Sequence, residues 1–182
     1  MFSIIKRRLS IQTADKHRLL LMIPVFFSLG MGEVLGISSS ASIFNVRYGV
    51  EHLPEMYVLE AIGLLLLSAV IADLSGKMER TKFLRLTYGF MTGLVMLNGI
   101  ILFISKMAAW TIWPVYYPFL LVSSMVVFFQ LTPLIWLIAI DICSTQQAKR
   151  LFPILSASST IGCIVAGGLG KLLAPVGVEI IY

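Results

Sequence analysis

The sequence has little with which to carry out covalent or metal chemistry. Its 182 residues include only two cysteines and two histidines. Neither Cys143 with Cys163 nor His17 with His52 has the close spacing of a zinc or redox motif, so no metal site and no cofactor is expected. A glycine-rich phosphate loop is missing. Ser and Glu coexist in the first apolar stretch, but no His lies at the same depth to complete a nucleophile and base pair, so catalysis is not expected. Charge is also scarce: Asp, Glu, Lys and Arg make up 13% of the residues, against about 25% in soluble domains.

What fills the chain is apolar: 58% of residues are hydrophobic and the mean hydropathy is +0.94. Five runs stand out, at 19–44, 57–72, 86–105, 116–140 and 152–175. A helix needs about 20 mainly apolar residues to cross the hydrocarbon. The second run is the shortest, with its centre in AIGLLLLSAVIA. A chain of this size cannot bury five helices that are apolar all round, so the sequence predicts an all-α polytopic bundle whose first partner is the lipid bilayer. A cleaved signal peptide, with small residues at Ser39 to Ala41 near the cleavage point, is the alternative for the first run. That run continues past Glu33 and is long for such a segment.

Basic residues orient the bundle. Lys6, Arg7, Arg8, Lys16 and Arg18 precede the first span, Lys77, Arg80, Lys82 and Arg85 follow the second, and Lys149 and Arg150 follow the fourth. Only Arg47, Lys106 and Lys171 fall on the other side. The positive-inside bias then predicts a cytoplasmic basic segment at 1–18, a transmembrane domain at 19–182 and an external Tyr182. The net charge of +5 reflects this topology and contact with anionic headgroups, and gives no support for nucleic-acid binding.

Polar residues inside the spans are the candidate functional positions. Glu33 is the sharpest, because a carboxylate deep in a span costs about 2.5–3.5 kcal/mol and calls for a cavity or a partner. It is followed by Ser38, Ser39, Ser40 and Ser42. Glu33 and Ser40 are candidates for solute contact or proton coupling, or for internal helix contacts. Asn98 and Gln130, near the middles of the third and fourth spans, are candidates for interhelical hydrogen bonds or for solute contact. Glu60 reads as an interfacial charge near Arg47 and His52. Small residues recur at every fourth position: Ser28, Gly32, Gly36 and Ser40 in the first span, and Ser158, Gly162, Ala166 and Gly170 in the fifth. Such stripes permit close backbone packing. Pro118 and Pro133 predict kinks in the fourth span.

The order of spans, with basic loops after the second and fourth, resembles the first half of a major facilitator transporter. Within that superfamily SIFNVRYGVEHLPEMYVLEAI and WLIAIDICSTQQAKRLFPILSASSTIGCIVAGGLG resemble the bacterial branch related to ATP/ADP translocases. The resemblance implies secondary active transport by alternating access of a small solute, a nucleotide or another organic anion, in a bacterial inner membrane. It also implies about twelve to fourteen spans in the complete protein, so further helices beyond these five are expected partners. It singles out Glu79 and Arg80, which match the acid-base pair of the superfamily's loop pattern, and Asp141 and Arg150 in the second phrase, as a conformational gate. Plain interfacial ion pairing, for instance of Asp141 with Lys149 or Arg150, is the other reading of these charges. Asp73 and Gly76 offer an alternative register for the loop pattern. Ser144 and Gln147 have the spacing of a capping box opening the next helix. The chain departs from the nucleotide carriers in one respect: its first span has no Lys to meet a phosphate. The competing class is a non-transporting membrane module that anchors or signals for a soluble domain.

Overall fold

The computed structural model describes residues 13–107 and 114–173. Lys6, Arg7, Arg8, the last residues of the predicted fifth span and Tyr182 lie outside them. The described chain is a helical bundle: α1 (Thr13–Arg47), a 3₁₀ turn (Val50–His52), α2 (Leu53–Lys77), α3 (Arg80–Met107), α4 (Tyr116–Ile142) and α5 (Thr145–Leu173). No strand occurs among the described residues. All five α-helices are long and apolar enough to cross a membrane. Helix is the form such segments take because lipid offers no partner for a free backbone N–H or C=O.

Every predicted span lies within one helix over its described residues, but the helices run further. Arg80, Lys82 and Arg85 are not loop residues; they occupy the first turns of α3, and the connection from α2 shrinks to Met78 and Glu79. Apolarity sets how much of a helix lies in hydrocarbon, whereas hydrogen bonding sets where it ends, and charged first turns continue the helix into water. At the start of α5 the capping box forms as expected: the Gln147 N–H donates to Ser144 Oγ at 3.4 Å and the Ser144 N–H to Gln147 Oε1 at 3.0 Å. Pro118 falls in the first turn of α4, where a missing N–H costs nothing, so it does not kink the span. Gly49, which leaves α1 with φ of 123°, takes a backbone conformation that only glycine adopts readily.

Short turns reverse the chain between α1 and α2, α2 and α3, and α4 and α5, and the cluster of Ile43, Leu102 and Leu120 brings the end of α3 to the start of α4. One end of the bundle therefore gathers the start of α1, the α2–α3 turn and the α4–α5 turn, and carries Arg18, Lys77, Arg80, Lys82, Arg85, Lys149 and Arg150; we call it the basic end. α4 is the centre, packed against α1, α2 and α3, while α5 lies along α1. Two apolar plugs close the α1–α4 region. At the basic end Leu19, Met22 and Phe26 meet Ala139, Cys143, Leu151 and Leu155, with Trp136 edge-on to both Phe26 (4.8 Å) and Phe152 (5.0 Å). At the opposite end Phe44, Met56, Leu121 and Met125 pack together.

The α1–α5 seam explains the fifth-span stripe. Ser158 Oγ donates to the Ile23 carbonyl at 2.9 Å across a sequence separation of 135. Gly162 against Phe27 and Gly170 against Leu35 keep that separation, as two parallel helices in register must. A Cβ at Gly162 would overlap the Phe27 carbonyl, and one at Gly30 the Ser159 carbonyl. The α1 stripe packs against a side chain of α4 and not against the backbone of α5. Gly30, which lies off it, meets α5, whereas Gly32 and Gly36 turn toward α4 and receive the ring of Phe128. α1 has two contact faces, and a four-residue stripe traces only one of them.

Candidate functional site

The basic end holds the polar contacts that tie helices together. Arg80, in the first turn of α3, pairs with Asp141, in the last turn of α4, at 2.5 Å. Arg18 of α1 donates to the Ile142 carbonyl at the end of α4 and, at 2.9 Å, to Gln147 Oε1 at the start of α5. The ends of α1, α3, α4 and α5 are thus linked by two arginines above the aromatic plug. Arg80 and Asp141, named from two separate loops, come together. Glu79 instead faces Lys82 at 3.5 Å within its own turn, and Asp73 pairs with Lys77 at 2.6 Å. The pairing of Asp141 is a correction to the expectation of Lys149 or Arg150: its carboxylate reaches across to α3. Arg150 sits on the second turn of α5. In the sequence Arg18 stands out only as a topological charge, since nothing in one strand of sequence marks a guanidinium that caps a distant helix end.

Below the plug a cleft of about 440 Å³ opens between α1 and α4, lined by Pro24, Ser28 and Gly32, by Phe128 and Leu131, and by Tyr88 of α3. Its wall is largely apolar. The Tyr88 hydroxyl is buried with no hydrogen-bond partner among the described residues. Buried hydroxyls without partners are uncommon, which makes Tyr88 a candidate contact that the sequence gave no signal for. Pro24, Pro133 and Pro153 lie inside α1, α4 and α5, roughly 12–17 Å along each helix from its basic end at about 1.5 Å per residue. Each removes one backbone hydrogen bond, so the three helices around the plug are weakened at a similar level.

The polar span residues take different places. Glu33 is half-buried and has no hydrogen bond or ion pair among the described residues. It does not line the cleft, yet Leu29 and Ser40 on the same face of α1 are buried, so that face is turned toward protein. Ser40 is wholly buried and donates to the Ile37 carbonyl of its own helix at 3.0 Å. Asn98 joins α3 to α4: its Nδ2 donates to Ser123 Oγ at 3.0 Å and its Oδ1 accepts from the Tyr116 hydroxyl at 3.1 Å. Gln130 joins α4 to α2, donating to Ser68 Oγ at 2.5 Å. Both amides are thus engaged between helices. Glu60 is only 8% exposed, more buried than an interfacial charge would be, and His52 faces Glu55 at 3.6 Å instead. Among the described residues no three His, Cys, Asp or Glu side chains converge as a metal site.

Comparison with known proteins finds no matching family model, no matching curated protein and no matching solved structure.

Proposed function

We propose that this bundle is part of a secondary active transporter that works by alternating access, resembling the first half of a major facilitator protein. In this reading the basic end faces the cytoplasm of a bacterial inner membrane and further helices complete the solute site. The observation that carries the reading is the Arg80–Asp141 pair. It bridges helix ends on the side where the plug closes the cleft, and both side chains remain well exposed, 54% and 36%. An exposed ion pair contributes only about 0–1 kcal/mol, so it holds one arrangement without locking it. The prolines of α1 and α5, within the plug, and that of α4, just past it, give the helix ends a place to bend. A purely static anchor has no need of a closure of this kind.

The roles follow from position. The α1–α4 cleft, with Ser28 and Tyr88 on its wall, holds part of a small solute, and its volume falls in the usual range for small-molecule sites, about 300–1,000 Å³. Glu33 serves as the proton or cation coupling group, since it is the acidic side chain half-buried within the first span, where an ionisable group calls for a functional partner. The solute class, a nucleotide or another organic anion, rests on the resemblance alone.

The test is accessibility of the cleft from the two sides. With Cys143 and Cys163 replaced by Ala and Ser28 by Cys, a membrane-impermeant maleimide is applied to vesicles of each orientation. Alternating access predicts labelling from both sides, with the balance moved toward the basic side by Asp141→Asn. Labelling from one side only, unmoved by Asp141→Asn, would contradict it.

A further inference from the structure

The four bases at the α2–α3 junction are not equivalent. Lys77 is held by Asp73 and Arg80 by Asp141. Lys82 has only the loose contact with Glu79, both side chains being about two-thirds exposed or more. Arg85 makes no ion pair among the described residues. These two cations, one loosely paired and one without an ion pair among the described residues, stand at the mouth of a groove of about 600 Å³ on the outer face of α3, formed by Met78, Lys82, Arg85, Leu86, Gly89 and Phe90.

The groove has the layout of an amphiphile. From Lys82, the residues Arg85, Leu86, Gly89 and Phe90 follow at i+3, i+4, i+7 and i+8, which places them on one helix face. The cations occupy the polar end. Leu86 and Phe90, 52% and 60% exposed, form the apolar walls, and a side chain at Gly89 would meet nothing within 4 Å, so the space between them is open. Lys82 to Phe90 spans about 12 Å of helix, close to one leaflet of a hydrocarbon core about 30 Å thick. A headgroup phosphate at the two cations therefore places an acyl chain over Gly89.

We propose that this face of α3 is a binding site for one anionic phospholipid, its phosphate held by Lys82 and Arg85 and an acyl chain seated between Leu86 and Phe90 over Gly89. The site requires that the bundle span a membrane and does not depend on transport. A zwitterionic lipid brings a cationic group beside Arg85 and is disfavoured.

The experiment is native mass spectrometry of the full-length protein extracted from bilayers of mixed phosphatidylglycerol and phosphatidylethanolamine, with thermal melting as the check on folding. Wild type is expected to retain phosphatidylglycerol in preference. Retention is expected to weaken about fivefold per charge removed in Lys82→Gln and Arg85→Gln, and also in Gly89→Leu, which fills the groove at constant charge. Lys77→Gln, at the same end but outside the groove, is expected to stay within about twofold of wild type. Loss in Lys77→Gln equal to that in Lys82→Gln would mean diffuse attraction to the bilayer and would overturn the site. So would unchanged retention in Gly89→Leu, or no preference for phosphatidylglycerol in wild type.

Discussion

Removing the carboxylate in Asp141→Asn, or the guanidinium in Arg80→Gln, deletes one ion pair between α3 and α4 and leaves the Arg18 contacts and the aromatic plug in place. Exposed pairs contribute about 0.2–1 kcal/mol, so the population with an open basic end should rise by a factor of about 1.5–5. The protein carries its own reporter: Cys143 is buried in the plug beside Leu19 and Leu151, and its reaction with an impermeant maleimide from the basic side measures opening. Cys163, on α5, is first replaced by Ala. Local charge alone would also change thiol reactivity, but with opposite signs in the two variants. Losing Asp141 favours the thiolate and speeds labelling, while losing Arg80 disfavours it and slows labelling. A latch predicts faster labelling in both. Faster labelling in Asp141→Asn with slower labelling in Arg80→Gln would refute the latch and leave only a charge effect.

Arg18→Gln, which removes a separate tie to Ile142 and Gln147, is expected to speed Cys143 labelling further when combined with Asp141→Asn, the two effects multiplying because the contacts share no partner; no added effect would show that Arg18 holds nothing closed. Gly162→Leu should drive α1 away from α5, because its Cβ alone overlaps the Phe27 carbonyl, destabilising by about 1–3 kcal/mol. Gly167→Ala, where a Cβ meets nothing within 4 Å, should stay within about 0.5 kcal/mol, and melting in detergent compares the two. Asn98→Leu removes an amide bonded to both Ser123 and Tyr116 and should cost up to about 1.7 kcal/mol, whereas Gln130→Leu loses one partner and should cost about 0.6 kcal/mol; reversible unfolding in bicelles ranks them.

The fold was legible because its cause is compositional. Five apolar runs, each too long for the inside of a small soluble domain, become five helices, and the basic clusters at the chain's turns fall on one end of the bundle. Helix ends were less legible: Arg80 to Arg85 looked like loop because charge marks the edge of the hydrocarbon and not the last hydrogen bond. The capping box at Ser144 is a local motif, and it is legible for that reason. The Arg80–Asp141 contact needed two distant turns to meet, so both residues were visible as candidates while their partnership was not. The seam shows the same division. The α5 stripe at Ser158, Gly162 and Gly170 packs as spacing suggests, yet its counterpart on α1 is Gly30, a lone glycine whose role depends on which neighbour faces it. Tyr88 gave no signal at all, since a tyrosine in an apolar helix is ordinary until its hydroxyl is found buried and unpartnered.

Uptake measures transport itself. The full-length protein, reconstituted in proteoliposomes, is offered nucleotides and other organic anions under an imposed proton gradient, alongside Glu33→Gln of equal melting temperature. Saturable flux of at least one solute is expected in wild type, and its loss in Glu33→Gln. Flux that Glu33→Gln leaves intact would remove Glu33 from the mechanism, and no flux of any solute by a well-inserted protein would contradict the transporter.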